Sequence, residues 1–282
     1  MLARRLFDGG VSPVELTESR ALLATAGFAL VPAAWRRPPW PERRGQPPAR
    51  VRANVVALGV ALALVNVTYY TAISRIAVAV AVVVQYTAPV LIVAWTAAVS
   101  RRPPSSDVLL ALAAALVGVV LVVDLAPGAI GRIDGLGLLI AMASAVLFAT
   151  YTVLAERTGA VYGSAAAMFR GFAVASVLWV AFQLPRGLPD EVLRRANLPE
   201  VLYVGLAGTL VPFLLYAWGV GRVRAERGAI AATLEPVVAA IVAWAWLGQH
   251  LSALQVAGGA LVVGAVVSLQ LRRRRPLVAP EI

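Results

Sequence analysis

The chain has no cysteine and a single histidine, His250, among its 282 residues. Disulfide frameworks, thiol nucleophiles and thiolate metal sites are thereby excluded, and no histidine cluster can form. Lysine is absent as well, so all 25 basic residues are arginine. Charged residues make up 14% of the chain, against about 25% in an ordinary soluble domain. What fills the space is apolar: 60% of the residues are hydrophobic and the mean hydropathy is +0.82. This balance excludes both an average globular enzyme and a disordered chain, and it points to a polytopic membrane protein.

Nine apolar segments run at about 13–35, 53–73, 78–99, 107–125, 134–155, 164–184, 199–220, 228–247 and 252–271. Each approaches the ~20 residues that a spanning helix requires. Alternating segments of ~10 residues, the mark of a β-barrel, are missing. Helix starts carry their own chemistry. Ser12-Pro13-Val14-Glu15 and Ser252-Ala253-Leu254-Gln255 are capping boxes, and Ser106-Asp107 suits a third start.

The net charge of +11 would in a soluble chain suggest nucleic acid as partner. Its distribution argues otherwise. Sixteen of the 25 arginines fall on the side reached after the first segment, seven on the other side, and only Arg20 and Arg170 lie within segments. The positive-inside rule makes the richer side cytoplasmic. The expectation is an integral protein of a bacterial cytoplasmic membrane, with its C-terminus inside and the Arg272–Arg275 run anchoring it at an anionic surface. Trp35, Trp40 and Trp246 fit interfacial belts.

A shift of 147 residues superposes Tyr69 on Tyr216, Arg75 on Arg222, Pro89 on Pro236 and Ser105 on Ser252. Near the start the offset drifts, pairing Arg20 with Arg170. Five spans separate equivalent helices, so the halves enter the membrane from opposite sides as an inverted repeat. The expected fold is all-α, with nine transmembrane helices as a 4+5 pair: 1–133 as the first repeat, 134–271 as the second, and 272–282 as a cytoplasmic basic tail. The counterpart of the helix at 134–155 would end near Arg5. An ancestral 5+5 unit whose first helix is missing is therefore expected, through a start assigned too late or a truncated paralogue.

The strings Gln85-Tyr86-Thr87-Ala88-Pro89-Val90, Ala231-Ala232-Thr233-Leu234-Glu235-Pro236-Val237 and Trp246-Leu247-Gly248, with Gly10-Val11-Ser12-Pro13 followed by Arg20, resemble the EamA family of the drug/metabolite transporter superfamily. The resemblance covers nearly the whole chain. It implies ten helices in two inverted repeats around a central cavity, and substrates among amino acids, other metabolites and drugs. This chain departs by lacking the first helix, and by Gln249 where many relatives carry Glu.

Candidate transport residues follow. Pro89 and Pro236 interrupt helices at matching repeat positions, which points to a midplane site, although a packing kink explains them too. Glu235 is read as the one carboxylate deep in a span. It serves either proton coupling or a substrate ammonium, or else locks two helices. Arg170 lies at similar depth in another helix, so an Arg170–Glu235 pair is expected. For Arg20, snorkelling to the outer interface is favoured over binding a substrate carboxylate. Asn66, Tyr69, Tyr70, Gln85, Tyr86 and Thr87 form a polar, aromatic set in the first half. Tyr216, Trp218, Thr233 and Trp244 form a looser one in the second. Ala114/Gly118 and Ala260/Gly264 suit close helix packing, with a homodimer as an alternative use.

The function expected is secondary transport, by alternating access, of small metabolites such as amino acids or drug-like compounds. The direction is export, and protons are the candidate coupling ion. The partners are a small-molecule substrate and the lipid bilayer, with no nucleic acid. No cofactor and no metal are called for. An intramembrane enzyme would need a nucleophile–base pair or metal ligands, and one loop histidine supplies neither. The competing reading is an inactive or scaffold membrane paralogue lacking the first helix.

Overall fold

The computed structural model describes residues 2–31, 49–124, 134–187, 189–248 and 250–271. The expected interfacial Trp35 and Trp40, the departure at Gln249 and the basic tail 272–282 lie outside the described residues, as does the side chain of Trp246. Every regular element among the described residues is helical. A short α1 (Leu2–Asp8) leads to α2 (Pro13–Ala29), and α3 (Ala49–Arg75), α4 (Val78–Gln85), α5 (Ala88–Ser100) and α6 (Ser106–Val123) follow. The remainder comprises α7 (Gly135–Tyr162), α8 (Ser164–Gln183), α9 (Asp190–Leu193), α10 (Leu198–Gly205), a π-helical turn (Leu206–Leu210), α11 (Val211–Val223), α12 (Ala225–Ala232), α13 (Leu234–Leu247) and α14 (Ala253–Leu271).

Eight helical stretches among the described residues are long and apolar enough to cross a membrane, with α4–α5, α10–α11 and α12–α13 each counting as one interrupted stretch. The ninth apolar segment is α2. Its helix has 17 residues and carries Glu15, Glu18 and Arg20, which shortens its uninterrupted apolar run. The helix expected at 134–155 continues seven residues further, to Tyr162, and so carries Glu156 and Arg157 within the helix rather than in a loop.

Local chemistry sets the helix starts. The Ser12 backbone N–H donates to Glu15 Oε2 at 2.8 Å and the Glu15 N–H returns the bond to Ser12 Oγ at 3.2 Å. The same reciprocal pair joins Ser252 and Gln255 at 2.9 and 3.2 Å. Both satisfy N–H groups that the first turn of a helix leaves without partners. At α7 the cap is Asp134, whose Oδ1 accepts from the Leu136 N–H at 3.1 Å.

Helix bounds recur along the chain. Adding 147 to the ends of α4 gives those of α12, and adding it to the ends of α6 gives 253 and 270, against Ala253–Leu271 for α14. Packing is most extensive between α3 and α7 and between α6 and α14. The α6–α14 contact is a backbone approach. A Cβ on Gly118 would stand 2.7 Å from the Gly258 carbonyl oxygen, and one on Gly258 would stand 2.7 Å from that of Gly118. The small residue that receives Gly118 is therefore Gly258. Gly264 is exposed, and a methyl added to it would meet nothing within 4 Å. Helices α2 and α8 run antiparallel, as shown by the Phe28–Phe172 stack (5.6 Å between centroids) and the Thr25–Ser176 hydroxyl contact (2.8 Å).

Candidate functional site

Two helix breaks define the site. Helix α4 ends at Gln85, turns through Tyr86 and Thr87, and resumes as α5. Helix α12 ends at Ala232, turns at Thr233, and resumes as α13. The breaks precede the prolines: Pro89 and Pro236 each stand in the first turn of the following helix, where a missing N–H has no intrahelical partner to lose. A threonine closes each break. Thr87 Oγ1 donates to the Val84 carbonyl at 2.7 Å, and the buried Thr233 Oγ1 donates to the Ile230 carbonyl at 2.6 Å. Each of these carbonyls also accepts the threonine's own backbone N–H at 3.1 Å, so side chain and main chain close the same turn; the carbonyls that the prolines release, four residues back, are those of Gln85 and Ala232.

The breaks meet through side chains. Tyr86 Oη donates to Glu235 Oε2 at 2.9 Å, which joins the end of α4 to the start of α13. Tyr86 is buried and Glu235 is exposed. Tyr69 on α3 and Tyr151 on α7 are close enough to interact electrostatically with the same carboxylate. Gln85 Nε2 reaches Ser144 Oγ at 3.5 Å, and that hydroxyl donates to the Val65 carbonyl at 3.4 Å, tying α4 to α7 and α3. Tyr216 and Thr152 share a hydroxyl contact of 3.1 Å, and the Tyr216 ring packs on Phe148 and Tyr151. Asn66 donates within its own helix, to the Leu62 carbonyl at 2.9 Å.

The expected Arg170–Glu235 pair is not formed. Arg170 donates to the Ala166 carbonyl of its own helix at 3.0 Å and lies 4.5 Å from the Tyr162 ring centroid, while Glu235 bonds to Tyr86. Similar depth along two helices is no guarantee that two side chains point at each other. Arg20 does not snorkel either. It is 6% exposed. Its Nε donates to Thr209 Oγ1 at 2.6 Å and one terminal nitrogen to the Gly208 carbonyl at 3.0 Å; the other donates to the Tyr70 hydroxyl. Two of these acceptors lie in the π-helical turn, whose irregular backbone leaves a carbonyl available. Such turns concentrate at functional positions. Trp218 and Trp244 are not part of the cluster. They are 52% and 56% exposed, and Arg222 covers the Trp218 ring at 3.7 Å.

Several residues escaped sequence reasoning. Glu18 on α2 is 3% exposed and its Oε2 has no hydrogen-bond partner among the described residues, so a second carboxylate lies within an apolar segment, more deeply buried than Glu235. Tyr151, Ser144 and Thr209 carried no signal, since a lone hydroxyl residue in an apolar run is common in membrane helices. No group of three or more His, Asp or Glu among the described residues is placed to hold a metal ion.

A solved crystal structure superposes on 97% of this chain and 93% of its own, with a TM-score of 0.66 at 21% identity, and that likeness establishes the fold alone. Among curated proteins, the chain is 27% identical over 211 residues to an uncharacterized inner membrane transporter, YicL, of Salmonella typhimurium, covering 75% of this chain and 70% of that one. It is 27% identical over 214 residues to an uncharacterized transporter of Archaeoglobus fulgidus, covering 76% and 75%. It is 23% identical over 224 residues to the threonine/homoserine exporter RhtA of Salmonella typhimurium, covering 79% and 73%. The model of the EamA-like transporter family matches residues 1–124 and 135–270, and the chain, an integral membrane transporter of a small-molecule substrate rather than an enzyme, belongs to that family.

Proposed function

We propose that this transporter exports small metabolites, amino acids or drug-like compounds, by alternating access between two inverted halves, and that Glu235 couples the movement to protons. The observation that carries the reading is the Tyr86–Glu235 bond of 2.9 Å, made across two helix breaks at equivalent places in the halves. Interrupted helices at matching positions are the strongest local pointer to a substrate site in secondary transporters. The recurrence of helix bounds at a 147-residue offset supports the repeat. The halves are 1–133 and 134–271, α2 is the ninth span, and the arginine-rich side is the cytoplasm. The exporter RhtA among the relatives supports both the direction and amino acids as substrate class.

The test is export from cells expressing the chain and counterflow in proteoliposomes, with a panel of amino acids and drug-like cations and a proton gradient of either sign. Transport that follows the gradient, with Glu235→Gln abolishing the gradient dependence, is the expected result. Transport by Glu235→Gln that is unchanged in rate and in gradient dependence would remove the coupling role. No transport of any compound would favour the inactive paralogue.

A further inference from the structure

Helix α7 carries an acid near each end, and each acid holds the turn at which an interrupted helix begins. At one end, Asp134 Oδ2 accepts from Arg75 Nε at 2.6 Å, at the turn between α3 and α4. At the other, Glu156 Oε2 accepts from the Ala225 N–H, the first of α12, at 3.0 Å, and its Oε1 lies 4.0 Å from Arg224 Nε. The two turns are equivalent: residues 77 and 78 shifted by 147 are Arg224 and Ala225. The acids are 22 residues apart, or about 33 Å along a helix, close to the ~30 Å thickness of a bilayer core. They therefore sit at opposite membrane faces.

The first contact is close-packed and the second falls on a strained turn. A Cβ on Gly137, one turn into α7, would stand 2.7 Å from Ile76 Cγ2 and 3.0 Å from Arg75 Cβ. Arg224 holds φ at +75°, a strained value for an arginine, just where Glu156 receives the N–H of the next residue. Two turns along α7 from Asp134 and one turn along α12 from Ala225 stand buried alanines, Ala141 at 1% exposure in the cluster that holds Ile76 and Ala229 at 0% in the cluster that holds Ala225.

We infer that Asp134–Arg75 and Glu156–Ala225/Arg224 are the two gate latches of this transporter, each holding one hinge of an interrupted helix against α7, so that opening to one side requires release of the latch on that side only. Asp134, Arg75 and Glu156 are thus positioning residues, not substrate ligands. The inference rests on the alternating-access reading above.

The native absence of cysteine makes the test direct. Ala141→Cys and Ala229→Cys are introduced singly into the full chain. Each is labelled with a membrane-impermeant maleimide, the first in right-side-out vesicles and the second in inverted ones. Asp134→Asn is expected to raise labelling at 141 about 1.5- to 5-fold, the range expected of a partly exposed ion pair, and to lower it at 229. Glu156→Gln is expected to do the reverse, and the exchange Arg75→Asp with Asp134→Arg to return the rate at 141 toward its original value. A variant that raises both rates has merely loosened the bundle, and that result, like no change at either site, overturns the inference. Labelling of the two otherwise unaltered cysteine forms under opposed proton gradients, with the pH on the maleimide side held constant so that thiol reactivity does not change, separates the two readings. If their rates move in opposite directions while the latch variants change nothing, only the latches fail. If they do not move oppositely, alternating access fails and the latches with it.

Discussion

Arg20 and Arg170 both lie within apolar helices, yet only Arg20 donates hydrogen bonds to other helices, and this difference can be measured. Replacing Arg20 with Met keeps a long side chain and removes three donated hydrogen bonds. Thr209 would lose least, because its hydroxyl still donates to the Val204 carbonyl at 2.8 Å. The Gly208 carbonyl and the Tyr70 hydroxyl would each lose a charged donor in a buried place, at about 1–3 kcal/mol apiece. Part of that is recovered, since a buried cation without a carboxylate partner has itself been relieved of a desolvation cost. The net expectation is about 2–4 kcal/mol of destabilisation. For a chain of this size it corresponds to a fall of roughly 5–10 °C in melting temperature. Arg170→Met loses one bond to its own helix and a contact with the Tyr162 ring, together worth about 1 kcal/mol, or roughly 2–4 °C. Thermal unfolding of both variants in one detergent, followed by tryptophan fluorescence, makes the comparison. Equal shifts for the two arginines, or a shift below about 2 °C for Arg20→Met, would refute the argument that this side chain fastens the π-helical turn to α2 and α3.

Two further outcomes are expected. Gly118→Ala places a methyl against a backbone carbonyl that cannot yield, so α6 and α14 must part at a cost of about 1–3 kcal/mol; Gly264→Ala, with open space around it, should stay within about 0.5 kcal/mol, and the two melting temperatures distinguish the packing roles. The bond from Arg75 holds the Asp134 carboxyl below the ordinary aspartate range. A lowered native pKa means that the contribution is present above the unfolded value, about 3.9, and is lost only as pH falls through the lower native one. Labelling at Ala141→Cys in a Glu235→Gln background, with equal pH on both sides of the membrane and the rate divided by the thiolate fraction, is therefore expected to be flat between pH of about 7.5 and 5, and a rise within that window would mean that Asp134 is not held by Arg75.

Much of the site is legible in the linear chain, in particular residues. Glu235 and Tyr86 stand out because a carboxylate and a phenol inside apolar runs are costly there and so call for partners. The prolines locate both breaks to within a few residues. Their partners are not legible. Depth along a helix can be counted from its ends, but successive side chains rotate by about 100°, and the neighbour on each face depends on how the helices assemble. That is why depth alone matches Arg170 to Glu235 while α8 turns it toward Tyr162, and why hydropathy alone sends Arg20 to the interface while α3 and the π-helical turn enclose it.

The helical class, the helix starts and the positions of the breaks follow from local chemistry and from transfer free energies, which act on each segment without reference to the others. The Tyr86–Glu235 contact, the burial of Glu18 and Arg20, the Gly118–Gly258 approach and the two acids of α7 at the hinge turns are properties of helix–helix assembly. They arise from pairs 59 to 189 residues apart, brought together by packing that no single segment encodes.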